Sequence, residues 1–209
     1  SLHDALPIYE FPEFSRTVLE NLRQPLEDGM VTISRAQGTL EFPARFTLVA
    51  SQNPCPCGYA SDPDKTCTCS TQQVSRYKKK VSGPILDRID LHVEVPRVDF
   101  EKLTDETLGE ASKDIQARVQ LARERQLARF EDMTIQTNSE MGNKEIKTFC
   151  KLNEESTQLF RQAMTHMYLS ARSFHRIIKI ARTIADLENI EEIQTPHIAE
   201  ALQYRVKQS

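Results

Sequence analysis

The chain has 209 residues, 39% hydrophobic and 27% charged, with no Trp and a formal net charge of −3. That composition suits one large domain or two small ones, and its slightly acidic balance gives no global pull on nucleic acid, so any such contact needs a local patch. No apolar run approaches a membrane span and nothing resembles a secretion signal; five Cys in such a chain point to reduced thiols or a metal site in a cytoplasmic protein.

The first 14 residues, SLHDALPIYEFPEF, join an acidic end to a Pro where a buried strand would not place one. Residues 12–24, PEFSRTVLENLRQ, space Phe14, Val18, Leu19 and Leu22 as a helical stripe with Pro12 near its start. In EDGMVTISRAQGTLEFP, Val31 and Ile33 and then Leu40 and Phe42 alternate around AQG, which predicts a β-hairpin with Arg35 at its tip. RFTLVASQN is a short apolar run ending in polar residues, the pattern of a buried parallel strand, with Asn53 at its end. Residues 54–70 form a loop rich in Pro, Cys and Asp. QQVSRYKKK predicts a basic helix, and SGPILDRID leads into LHVEVPRV, read as a further buried strand closed by Pro96.

From about Glu110 the pattern turns helical throughout. ASKDIQARVQLARERQLARF, NKEIKTFCKL, ESTQLFRQAMTHMYL, ARSFHRIIKIARTIADLE and TPHIAEALQYRV all carry helical spacing, with Thr195 before Pro196 as a helix start. Phe174, Ile177, Ile178, Ala181, Ile184 and Ala185 read as core, and Cys150 as a helix-core cysteine. The chain therefore divides into an α/β portion over residues 9–98, a link at 99–108 and an all-helical bundle at 109–209.

Four of the cysteines are paired as CPC (Cys55, Cys57) and CTC (Cys67, Cys69) across a polar loop. Four thiolates so arranged can hold a tetrahedral Zn²⁺ that pins the loop, although C-x-C is tighter than the usual C-x₂-C knuckle. The alternative is four reduced thiols near solvent, and the spacing leaves both open.

Three blocks taken together are specific. EFPEFSRTVLENLRQPLEDGMVTISRAQGTLEFPARFTLVASQNPCPCGY, SGPILDRIDLHVEVPRV and LSARSFHRIIKIARTIADLE closely resemble the magnesium-chelatase-like AAA+ ATPases, in the ComM/YifB branch associated with competence and DNA processing. The resemblance runs from about Glu10 to the C-terminus. It implies the C-terminal half of a AAA+ (P-loop NTPase) parallel-sheet domain followed by an all-α lid bundle, with ATP and Mg²⁺ as cofactors. Such proteins carry a Lon-protease-like domain and a P-loop half upstream; no G-x-x-x-x-G-K-[ST] occurs in this sequence, so the chain by itself is expected to be inactive.

In that family an apolar strand ending in Asp-Glu, the Walker B pair, precedes PEF, whereas here SLHDALPI stands in its place. The octapeptide is the one-frame translation of a common sequencing-library adaptor, TCC CTA CAC GAC GCT CTT CCG ATC, which one further T follows. An Asp codon whose first base becomes T reads Tyr, so Tyr9 is expected to stand for an Asp and residues 1–8 are set aside from fold reasoning.

The resemblance assigns roles residue by residue. Glu10 matches the Walker B base, and Tyr9 cannot hold a hard cation as a carboxylate does. Asn53 matches sensor 1, where one amide can bond both water and γ-phosphate; its plain alternative is a turn former before Pro54. Arg88 in GPILDRID matches an arginine finger offered to a neighbouring subunit, against an ion pair with Asp87 or Asp90 inside the chain. Arg172 in LSARSF matches sensor 2, with Arg176 and Arg182 as alternatives. The hairpin resembles the helix-2 insert that related hexamers direct at their pore, so Arg35 and the basic RYKKK at 76–80 are candidates for phosphate-backbone contact. The implied function is a homo-oligomeric ring, a hexamer, acting on DNA as a branch-migration helicase; the alternative is a magnesium-chelatase-type motor subunit that remodels a protein partner.

Overall fold

A computed structural model describes residues 5–98 and 109–205. The first four residues, the 99–108 link and the last four residues lie outside that description. The chain forms two units, one taking the residues up to Ile89 with Glu94–Val98, the other taking Asp90–Val93 and the remainder.

In the first unit, β1 (Ala5–Ile8) leads into a 3-10 turn at Phe11–Glu13 and two short helices, α1 (Arg16–Asn21) and α2 (Arg23–Asp28). The hairpin strands β2 (Met30–Arg35) and β3 (Gly38–Pro43) follow, then β4 (Thr47–Ala50), the long loop, α3 (Thr71–Lys78) and α4 (Gly83–Leu86). The expected single helix over 12–24 is split. Pro12 sits in the 3-10 turn, and α1 starts only at Arg16, capped by Ser15, whose hydroxyl accepts the Val18 N–H at 3.4 Å. The break at Leu22 follows from Pro25, which has no N–H to donate to the Asn21 carbonyl. Of the proposed stripe, Leu19 is fully buried, whereas Phe14 and Val18 are 45% and 49% exposed. Gly29 ends α2 at φ 65, a conformation that favours glycine, and a Cβ there would crowd Arg45 Cγ at 3.1 Å unless that side chain shifted.

The hairpin is as expected, with Arg35 opposite Gly38 across a two-residue turn and Val31 opposite Phe42. β1 pairs with β4 in parallel, from Ala5 opposite Thr47 to Ile8 opposite Ala50. The segment set aside from fold reasoning thus forms a strand over its last four residues, because ladder pairing uses the backbone and tolerates poor side chains. Pro7 fits for a geometric reason. Successive residues direct their polar backbone groups to opposite sides, and the Ile8 carbonyl accepts from Ser51 N–H on the β4 side at 2.9 Å. Pro7 therefore faces the outer edge, where its missing N–H removes no ladder bond. Phe11, Leu19, Val81 and Ile85 form the buried cluster of this unit, with Ile8 and Leu22 against it.

The strand expected at 91–98 does not form. Leu91, Val93 and Val95 are exposed, Val95 by 81%. The His92 N–H bonds the Tyr204 carbonyl at 2.8 Å, so that amide is spent on the helical unit and not on a ladder.

The second unit contains α5 (Ser112–Arg129), a 3-10 turn at Asn138–Glu140, α6 (Asn143–Phe149), α7 (Glu154–His166), α8 (Ala171–Leu187) and α9 (Thr195–Gln203). Ser170 and Asn153 cap α8 and α7 through their side-chain oxygens. α9 is capped one residue earlier than expected: Thr195 is its first helical residue, and the Gln194 N–H bonds His197 Nδ1 at 2.9 Å. The expected stripe of α8 is buried at Ile177, Ile178, Ala181, Ile184 and Ala185, while Phe174 is half-buried and stacks on Phe160 at 4.8 Å. Cys150 is buried in the same core.

Beside that core runs a polar network. Asp186 Oδ2 accepts from Arg129 Nη1 and Asn138 Nδ2, each at 2.8 Å, and Oδ1 accepts from Arg129 Nη2 and from Arg182 Nη2 at 3.1 Å. Two fixed guanidinium groups thus neutralise one fully buried carboxylate. Among the described residues no helix is long and apolar enough to cross a membrane.

Candidate functional site

The parallel register brings two chain turns together at the carboxyl ends of β1 and β4. Ser51 N–H reaches Ile8 O and Phe11 N–H reaches Ser51 O, both at 2.9 Å. Glu10 and Asn53 consequently emerge, exposed, from adjacent turns at the edge where open α/β sheets present ligand-binding groups. Glu10 adopts the left-handed conformation, φ 53 and ψ 46, while its carbonyl accepts the Glu13 N–H at 2.8 Å. The Tyr77 hydroxyl hydrogen-bonds the Asn53 backbone; burial and the nearby Glu13 charge push that phenol upward. Tyr9, in the metal-holding place, is 76% exposed and offers only a phenol. The strand ends thus provide an acid and an amide. A phosphate-cradling glycine loop is absent from the sequence, and no second carboxylate adjoins Glu10.

Arg88 points inward. Its side chain is 9% exposed, donates from Nη1 to the Pro84 carbonyl at 2.6 Å, and pairs through Nη2 with Glu27. The acid seen to hold its Nη2 is Glu27. Local spacing cannot reveal a partner 61 positions away in the chain. Asp90 instead pairs with Arg176 at 2.6 Å. Arg182, one of the sensor-2 alternatives, is buried in the Asp186 network and donates to the Ile190 and Glu191 carbonyls. That corrects its reading to a structural one. Arg172 is exposed in the first turn of α8.

Arg35 is exposed at the end of β2, beside the hairpin turn. Arg76 of α3 and Lys79 and Lys80 just after it line an open depression that also takes in Arg16 and Glu13, with Lys80 Nζ 2.9 Å from Glu13. Sequence reasoning missed Arg16, which lies far from RYKKK in the chain.

The four loop cysteines converge. Their sulfurs all lie within 4.8 Å of one another, with Cys55–Cys57 at 3.4 Å, Cys57–Cys67 at 3.5 Å and Cys55–Cys67 at 3.7 Å. Cys55 is fully buried. Hydrogen bonds from the backbone of Tyr59 and Thr68 pull the Cys57 thiol down to about 5, whereas Cys69, hydrogen-bonded to Cys57, is pushed up to about 12.

Residues 3–103 match the family model described as magnesium chelatase, subunit ChlI, and residues 109–205 match the one described as its C-terminal region. The chain belongs to the magnesium chelatase-like family. Among curated members of this family, it is 44% identical over 198 residues to Competence protein ComM of Haemophilus influenzae. It is 39% identical over 197 residues to YifB of Escherichia coli K12, and 35% identical over 196 residues to a protein of Mycobacterium tuberculosis. These matches place it in the ComM/YifB branch; they cover 94% of the chain and 38% of each relative's length.

Proposed function

We propose that the chain is part of a AAA+ motor that hydrolyses ATP with Mg²⁺ as a homo-oligomeric ring, a hexamer, and drives branch migration on DNA. The observation that carries this reading is the placement of Glu10 and Asn53 on adjacent turns at the carboxyl end of the parallel pair. Bound ATP supplies the phosphoryl group. Glu10 accepts the proton of the attacking water, and the Asn53 amide, donor and acceptor in one plane, orients that water against the γ-phosphate. No metal-holding step falls to this chain, because Tyr9 does not fit one. The helical unit serves as the lid, with Arg172 as its nucleotide-sensing cation. For Arg88 to act as a finger, it must exchange Glu27 for a phosphate oxygen of the neighbouring subunit. The name of the Haemophilus relative supports a link to competence and hence to DNA, for which Arg35 is the pore-facing candidate.

The test is ATP hydrolysis by a full-length protein containing these residues, with and without branched DNA. Branched DNA is expected to raise the rate, Arg35→Glu to remove that rise, and Glu10→Gln or Arg88→Ala to abolish hydrolysis while ATP still binds. A rate indifferent to DNA would instead favour a chelatase-type motor acting on a protein partner. Hydrolysis surviving Glu10→Gln would overturn the site.

A further inference from the structure

We propose that Cys55, Cys57, Cys67 and Cys69 hold one structural Zn²⁺ that ties the end of β4 to the start of α3. Zinc bound by four thiolates at about 2.3 Å in a tetrahedron requires sulfurs about 3.8 Å apart. The three sulfur separations of 3.4, 3.5 and 3.7 Å approach that edge, and the fourth sulfur lies within 4.8 Å of the rest. The loop backbone is folded to make this possible. Gly58, at φ 84, allows a tight turn in which its N–H bonds the Cys55 carbonyl at 3.0 Å, so Cys55 and Cys57 face one point. Backbone groups of Tyr59 and Thr68 hydrogen-bond the Cys57 sulfur, and the backbone of Cys69 bonds the Cys67 sulfur. Such donors orient metal thiolates and lower their charge density.

The loop offers little else to order it. Residues 54–70 contain no helix or strand and bury little apolar surface besides Cys55. Asp62 Oδ1 accepts the Asp64 and Lys65 N–H groups at 2.9 Å and Lys65 lies over the Tyr59 ring, both local contacts, while Asp62 Oδ2 makes a long 3.7 Å ion pair with Arg97. A segment of this length without its own core requires a cross-link, and four soft ligands select zinc over the hard cations. The cross-link spans functional ground. Asn53 precedes Cys55 by two positions, and Ser70, which caps α3 through Gln73 N–H at 3.2 Å, directly follows Cys69. The metal therefore sets the distance between the strand end and the helix carrying Arg76 and Tyr77. The inference does not depend on nucleotide chemistry.

The experiment begins with the chain purified under reducing, chelator-free conditions. Elemental analysis is expected to give one zinc per chain, and Co²⁺ exchange to give the intense visible bands of tetrahedral tetrathiolate coordination. Cys57→Ser and Cys67→Ser should each reduce bound metal several-fold, and Cys150→Ser, outside the cluster, should leave it unchanged. Chelation of the wild-type chain should accelerate amide exchange at least ten-fold in residues 51–78 but not in 171–187, a readout that survives misfolding of any variant. Metal-free protein with four reactive thiols in this loop, paired disulfides, or a cobalt spectrum without thiolate bands would each overturn the proposal.

Discussion

Glu10 is held at φ 53, a conformation that costs a residue with a Cβ roughly 1–2 kcal/mol. Its side chain is exposed and makes no capping hydrogen bond that offsets this cost. Glu10→Gly removes the steric term but adds about 0.5–1 kcal/mol of unfolded-chain entropy. The difference is a gain of about 0.7 kcal/mol, within a range of roughly 0–1.5. At ~4–8 °C per kcal/mol for a unit of this size, the melting temperature should rise by about 3–6 °C. Glu10→Ala keeps the strained backbone and should stay within about 0.5 kcal/mol of the parent chain. Thermal and denaturant unfolding of the three chains measures both. A glycine variant that melts below the alanine variant would show that this turn is not strained. In a full-length protein the same glycine variant should lose ATP hydrolysis. A stabilising change that removes activity is the signature of a residue kept for chemistry and not for folding.

Asp186→Asn keeps the shape of the buried side chain but leaves Arg129 and Arg182 without their counter-charge and turns an amide N–H toward one guanidinium. The expected loss is about 3–5 kcal/mol, seen as a lower denaturant midpoint at constant slope, and a loss under about 1 kcal/mol would refute the network's role. Burial pushes the Cys150 thiol up to about 11, above its unfolded value near 8.5. Its contribution is therefore complete below about pH 8.5 and is lost as pH rises toward 11. Cys150→Ala should show a shallower alkaline decline in unfolding midpoint than the parent chain; equal declines would count against the burial argument.

Most helices were legible because each carries its own apolar spacing, α8 above all, where five of the six apolar positions read from the sequence are buried without any distant information. The hairpin was legible for the same local reason, and so was β4 as a parallel strand, but not its burial: three of its four residues are exposed, Val49 by 57%, because among the described residues it pairs on one side only. The segment 91–98 was not, since Leu91, Val93 and Val95 show strand alternation but only a neighbouring ladder can make a strand of them. β1 was hidden by Pro7, which is poor for a central strand and harmless on an outer edge. At the site, Glu10, Asn53 and the four cysteines were visible as motif positions, and folding brings the first two to adjacent turns and the four sulfurs into one cluster. What spacing could not supply were the long-range partners: Glu27 for Arg88, Arg129 for Asp186, and Arg16 beside the basic helix. The Arg182 and Asp186 pair, four apart on α8, was a readable hint that Arg182 is occupied.

The two flanks of the parallel pair are chemically unequal. Along the free side of β1 the succession of donors and acceptors is interrupted at Pro7, whereas the free side of β4, Thr47–Ala50, retains every amide proton. A strand arriving from any source finds an unbroken template only on the β4 flank. Growth of this sheet is thus directional: an added strand would become a neighbour of the segment leading to Asn53, on the side away from Glu10.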